Sequence, residues 1–222
     1  MKLVLFDCDG TMVDSVGLIH ETMCRTFAHF DKTRPGLEDT KAIIGLTLDI
    51  AIARMQGRQH AGEEDVAMMA YYKSLFSVVR KDLDFHEPLF DGVRELIDEI
   101  GPREDLLIGA VTGKSRRGLD LILDMHGFSP YFIVSRTADD CPSKPHPAMV
   151  TECCDETGML AADTIVIGDA VYDMQMAKAA GATAIGVSWG YASVDALRKA
   201  GADAVITHPS ELLAHIDGGC HA

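Results

Sequence analysis

Residues 5–14 read LFDCDGTMVD. The apolar run KLVLF (2–6) ends there in two aspartates, Asp7 and Asp9, with one residue between them. A glycine, a threonine and a third aspartate, Asp14, follow. In extended chain, residues i and i+2 point to the same side, so both carboxylates can face one cavity while Cys8 faces away. Gly10 then permits a sharp turn. Two neighbouring anions repel, and no basic residue adjoins them in the stretch. The arrangement calls for a cation or a bound partner from outside the chain. Taken alone, the pair also has a plainer use, one aspartate capping a turn and the other in solvent.

The chain of 222 residues can hold one large domain or two smaller ones with a sizeable core. Its composition, 47% hydrophobic and 24% charged, is that of an ordered globular protein. A formal net charge of −14 speaks against nucleic acid or an anionic membrane as partner, since both need basic patches. No stretch approaches the roughly 18 apolar residues of a membrane span. Asp7 and Asp9 interrupt the first apolar run too early for a signal peptide. The six cysteines (8, 24, 141, 153, 154 and 220) form no CxxC pair and read as reduced thiols, hence a cytoplasmic protein.

Beyond Phe85 short Val/Ile-rich runs alternate with amphipathic stretches. Strands are predicted at DLLIGAV (105–111), YFIVS (131–135), DTIVIGD (163–169), ATAIGVS (182–188) and ADAVI (202–206). Helices are predicted from Ser115 to Met125, Pro147 to about Thr157, after Asp169 through Ala179, over 193–200, and from Ser210. This alternation implies parallel strands joined by right-handed crossovers, with KLVLF in the same sheet. From Val16 to Asp84 the texture changes to helical periodicity, for example at Ile43, Ile44, Thr47, Ile50, Ala51, Arg54 and Met55. The expected fold class is α/β: a Rossmann-like three-layer core with a parallel sheet (1–15 and 85–222) and an inserted all-helical cap (16–84).

The chemically suggestive residues all fall at carboxyl ends of predicted strands, where open α/β sheets bind ligands. Besides Asp7 and Asp9 they come in three blocks. VTGK (111–114) offers the Thr112 hydroxyl and backbone N–H groups from Gly113 onward to an anion; alone, Thr112 is an ordinary helix cap. In SKPHP (143–147), Pro145 extends Lys144 and Pro147 suits a first helical turn. Any single lysine is by default a solvated one, and His146 reads as a loop residue. In IGDAVYD (167–173), Asp173 lies one helical turn after Asp169. Added to Asp7 and Asp9, this pair makes an all-oxygen cluster suited to Mg²⁺; an N-cap and a surface aspartate are the plainer alternative.

DCDGTMVDS, VTGK, KPHP and GDAVYD, in this order and followed by AKAAG (177–181), resemble the haloacid-dehalogenase-like superfamily, within it the phosphatases of the phosphoglycolate phosphatase type. The resemblance spans nearly the whole chain and implies a helical cap inserted just after the first motif. It implies that Asp7 is a nucleophile forming an aspartyl-phosphate, and that Asp9 protonates the leaving alkoxide and then activates water. Thr112, Gly113 and Lys144 would hold the phosphoryl oxygens. Mg²⁺ would be held by the Asp7 carboxylate, the Asp9 backbone carbonyl and Asp169, with Asp173 near or behind it. IIGLT (43–47) resembles a cap loop aimed at the site, making Gly45 and Thr47 candidate substrate contacts.

The implied activity is Mg²⁺-dependent hydrolysis of a small phosphorylated metabolite by a monomer or homodimer. Pyrophosphatase, sugar-phosphate mutase and non-enzymatic binding protein are the alternatives. Leu48 stands where the mutases carry an arginine, and Asp9 is the second aspartate that the dehalogenase branch lacks. Phosphonate hydrolases use a cap lysine, for which Lys41 and Lys73 are available. Ala170 departs from the small hydroxyl residue that relatives often carry at its position, with a minor loss of hydrogen bonding and no loss of activity expected.

Overall fold

A computed structural model of the chain describes residues 1–82, 85 and 87–218. Six parallel strands form one sheet in the order β3-β2-β1-β4-β5-β6. They are β1 (Lys2–Phe6), β2 (Leu106–Val111), β3 (Phe132–Arg136), β4 (Thr164–Gly168), β5 (Thr183–Val187) and β6 (Ala204–Ile206). The helices are α1 (Val16–His29), α2 (Leu37–Lys41), α3 (Leu48–Met55), α4 (Glu63–Asp82), α5 (Val93–Ile100), α6 (Arg116–His126), α7 (Ala148–Thr157), α8 (Val171–Ala180), α9 (Val194–Lys199) and α10 (Leu212–Asp217). None of the described helices is long and apolar enough to cross a membrane.

β1 shows why the sheet is central. Val4 and Phe6 point into one core with α5 and α6, while Leu3 and Leu5 point into a second with α7 and α8. A strand segment buried on both faces must be apolar throughout, which is why LVLF (3–6) reads as a continuous run and not an alternation. From β1 the chain moves outward to β2 and β3, then returns to the other side of β1 as β4. Strand order thus reverses between β1 and β4, and a crevice opens at their carboxyl ends.

Helices α1 to α4 lie between β1 and the rest of the sheet and enclose their own core, which includes Met23, Phe27, Ile52, Met68 and Tyr72. Tyr172 and Tyr191, from the sheet-bearing part, pack against it. The two crossings into and out of this helical unit lie side by side. Asp14 N–H donates to Pro88 O at 2.9 Å, and Phe90 N–H to Met12 O at 3.0 Å. Asp14 itself is exposed at the entry crossing and accepts from the Tyr191 hydroxyl at 3.2 Å.

Three details differ from the sequence reading. The helix α5 has no counterpart in it, although Val93, Leu96, Ile97 and Ile100 carry the i, i+3, i+4, i+7 pattern and are all buried. The periodicity taken to run from Ile43 to Met55 is broken: α3 begins only at Leu48, because Gly45 sits at φ +100° and turns the chain. The expected boundary at 84/85 falls next to Leu83, Asp84 and His86, which lie outside the described residues, as does Cys220. The other five cysteines are buried free thiols.

Phe128 closes the core beneath α6. It is 1% exposed, stacks on Phe132 at 6.3 Å and lies under the Arg94 guanidinium. Phe128→Ala is expected to lower unfolding free energy by about 3–5 kcal/mol, measured by urea denaturation. A loss under about 1 kcal/mol would contradict this packing.

Candidate active site

The crevice at the β1/β4 reversal is where the motif residues meet. Asp7 ends β1, Asp169 ends β4 and Thr112 ends β2; each is 1% exposed. Asp173 arrives by a different route from the expected helical turn. Asp169 precedes α8 and is not helical, so the i, i+4 argument does not apply. Asp173 occupies the first turn of α8, and its Oδ2 accepts the Ala170 N–H at 3.0 Å. The carboxylate is thereby folded back toward the strand ends, where one oxygen each of Asp7, Asp169 and Asp173 lies within 4.8 Å of the others.

The charge balance is supplied partly by the chain itself, contrary to the expectation of purely external compensation. Lys144, 1% exposed, donates to Asp7 Oδ1 at 2.8 Å and to Asp173 Oδ1 at 2.6 Å. It lies 137 residues from Asp7, beyond the reach of local pattern reading. The Lys144–Pro145 peptide is cis, and His146 is exposed. Burial works against the lysine's charge, but Asp173 and Asp7 outweigh it and hold Lys144 above the ordinary lysine range.

One lysine does not balance three buried carboxylates. Burial, opposed by Lys144 and reinforced by Asp173, pushes Asp7 up to about 7. Burial with Asp7 and Asp173 raises Asp169 well above its usual range. Asp169 is held by the Thr11 hydroxyl (3.1 Å) and the Tyr191 N–H (2.8 Å). Asp7 Oδ2 is buried and has no hydrogen-bond partner among the described residues. Such an orphaned anionic oxygen beside two further carboxylates fits a hard divalent cation such as Mg²⁺. Gly10, at φ +86°, turns the chain so closely against Asp169 that any β-carbon there would collide with its carboxylate.

Asp9 does not join the carboxylate cluster. The chain folds over Cys8, whose carbonyl accepts from Thr11, Met12 and Val13, and this turns the Asp9 side chain away from an extended i, i+2 arrangement. Its Oδ1 accepts from Ser15 Oγ and from Lys114 Nζ, both at 2.6 Å. Lys114 also reaches Glu87 Oε1 at 3.1 Å, and Glu87 is 2% exposed. In the sequence Lys114 lies within VTGK, and Thr11 and Ser15 within DCDGTMVDS, with no role assigned to any of them, and Glu87 lies outside every motif. Lys114 stands two residues from Thr112 and was the visible signal, whereas nothing in FHEPLF marks Glu87 as buried.

Gly45 and Thr47 lie where the helical unit meets the site. Thr47 N–H donates to Ser143 Oγ at 2.9 Å, while its hydroxyl turns to Asp49 at 2.7 Å. Gly113 packs beneath the loop so tightly that a β-carbon would come within 2.6 Å of the Gly45 and Leu46 carbonyls. Thr112 Oγ accepts the Lys114 N–H at 3.2 Å. Lys41 pairs with Glu38, and Lys73 with Asp139 at half-exposed positions.

A family model described as haloacid dehalogenase-like hydrolase matches residues 4–187, from β1 through β5. The chain belongs to this family. Among curated relatives of this hydrolase, a probable phosphatase, IndB, from Dickeya dadantii is 31% identical over 99% of this chain and 94% of its own. A phosphoglycolate phosphatase from Yersinia pestis is 29% identical over 95% of this chain and 90% of its own. A predicted phosphatase from Clostridium acetobutylicum shares the fold with a TM-score of 0.85, at 23% identity over 98% of this chain and 99% of that one.

The raised Asp7 predicts a pH effect on the metal-free hydrolase. With 3.8 as its ordinary value and about 7 in the fold, Asp7 favours the folded state at low pH, and that contribution is lost as pH rises from 3.8 through about 7. In EDTA, Tm of the wild type should fall more between about pH 5 and about pH 8 than that of Asp7→Asn, and Mg²⁺ should restore it at the higher pH. Parallel pH curves for the two proteins would refute this assignment.

Proposed function

We propose that this hydrolase is a phosphatase acting on a small phosphomonoester through a covalent aspartyl-phosphate on Asp7. The observation that carries the reading is Asp7 Oδ2, a buried, unpartnered carboxylate oxygen at the crevice, with its sister oxygen held by Lys144. The names of the relatives point the same way, and that of the Yersinia pestis relative makes 2-phosphoglycolate the first substrate to try.

In this reading the Asp7 carboxylate attacks phosphorus, the bond from phosphorus to the alcohol oxygen breaks, and Asp9 delivers its proton to the departing alkoxide. Asp9, now ionised, takes a proton from water as that water attacks the aspartyl-phosphate. The acyl phosphate bond breaks, phosphate leaves, and both aspartates return to their starting state. Thr112 and the backbone N–H groups from Gly113 onward hold the phosphoryl oxygens with Lys144, whose Nζ fixes the direction of Asp7. Asp7, Asp169 and the Asp9 backbone carbonyl would hold Mg²⁺, with Asp173 adjacent, and the ion when bound supplies positive charge for the transferring group. Residues 16–84 act as the cap, with Gly45 and Thr47 toward the leaving group and water kept from the crevice. The buried free thiols suit a reducing, cytoplasmic setting.

The test is phosphate release with Mg²⁺ from p-nitrophenyl phosphate, 2-phosphoglycolate and a panel that includes pyrophosphate and sugar phosphates. Turnover of a monoester that EDTA abolishes and Asp7→Asn reduces to background is expected. Activity that survives Asp7→Asn would overturn the mechanism, and preference for pyrophosphate would overturn the substrate class.

A further inference from the structure

A line of ion pairs joins the helical unit to Asp9. Arg80 of α4 approaches Glu87 Oε2 at 3.5 Å, Glu87 Oε1 receives Lys114 Nζ at 3.1 Å, and the same Nζ donates to Asp9 Oδ1 at 2.6 Å. The Glu87 side chain is 1% exposed and that of Lys114 10%. The ring of His126 anchors the Glu87 backbone through its carbonyl at 3.2 Å. Ion pairs this deeply buried bring little net stability, because desolvation offsets their attraction. A folding role alone does not account for placing a glutamate there.

The geometry at Asp9 does. Both of its donors, Ser15 Oγ and Lys114 Nζ, converge on Oδ1. This fixes the side-chain torsions while Oδ2 is left to exchange a proton. Lysine has a flexible four-carbon stem, so its ammonium holds a fixed point only when a second anchor tethers it. Glu87 is that anchor.

We propose that Lys114 and Glu87 are positioning residues for the acid–base carboxylate: Lys114 orients Asp9 through Oδ1, Glu87 fixes Lys114, and Arg80 ties the pair to α4. The proposal rests on the phosphatase reading above and adds to it two residues that act through Asp9.

A misplaced acid is felt most where the leaving group needs a proton. An alkoxide needs one, whereas p-nitrophenolate departs without it, and kcat/KM covers the steps up to release of the alcohol. The experiment compares kcat/KM for p-nitrophenyl phosphate with that for whichever alkyl phosphate the wild type turns over fastest. Lys114→Met and Glu87→Gln should each lose at least about tenfold on the alkyl ester and under about threefold on the aryl ester. Arg80→Met should lose less, in the same sense, and Lys114→Arg should recover most of the loss. Adding Lys114→Met to Asp9→Asn should cost the alkyl ester nothing further.

A parallel fall on both esters, or no fall on either, overturns the proposal while leaving the phosphatase reading standing. A wild type inactive on every phosphate ester overturns both. Should Glu87→Gln not fold, the selectivity of Lys114→Met and Arg80→Met decides the matter.

Discussion

Three carboxylates are held within 4.8 Å of one another in a buried crevice, with Lys144 as the cation among them. At an effective dielectric near 20, a pair of unit charges 4 Å apart is worth about 4 kcal/mol, so the cluster is an electrostatic load that the fold must carry. The sheet carries it. β1 and β4 are buried on both faces, paired to each other, and end together, so Asp7 and Asp169 cannot move apart without breaking the central ladder. Asp7 N–H is itself tied to Ile167 O at 2.8 Å. The result is a site pre-formed at the expense of local stability, as catalytic centres commonly are.

The helical unit depends on the same constraint. Its loop 43–47 sits on Gly113, Ser143 and Ala170, from three different strand-to-helix connections around the crevice, and the Tyr172 hydroxyl of α8 donates to the neighbouring Ala42 O. At Gly113 the loop carbonyls come so close that no side chain could be accommodated. The apolar core of the helical unit lies chiefly within its own helices, with Tyr172 and Tyr191 packed against it. The crossings at Met12–Ser15 and Pro88–Phe90 are paired to each other by backbone hydrogen bonds.

Much of the fold was legible because the buried strands have no polar face: KLVLF, LLIGAV and TIVIG cannot be mistaken for amphipathic helix. The helical unit was legible by the absence of such runs. α5 was overlooked because its apolar residues are spaced at helical intervals within a charged eight-residue stretch, and no strand-like run calls attention to it. At the site, Asp7, Thr112 and Asp169 directly follow strands, whereas Lys144 lies in the β3–α7 loop and Asp173 in the first turn of α8. What local pattern cannot supply is partnership. Lys144 and Lys114 stand 137 and 105 residues from the aspartates they bind, and either reads in sequence as a surface lysine. Glu87 was beyond reach for the same reason, since its burial depends on a lysine and an arginine from two other elements.

The two aspartates of DCD are neighbours in sequence but belong to different electrostatic neighbourhoods. Asp7 shares Lys144 with Asp173 and faces the carboxylate cluster; Asp9 shares Lys114 with Glu87 and faces the helical unit. The turn over the Cys8 carbonyl, completed by Gly10 at φ +86°, divides them. Were both side chains on one side of an extended strand, they would compete for one cation, and neither could differ from the other in charge or hydrogen bonding. Separate lysines give the same residue type two different sets of partners within three residues of chain. That division requires two cations brought from distant parts of the chain, and the parallel sheet, which gathers the carboxyl ends of all its strands at one edge, is the architecture that delivers them.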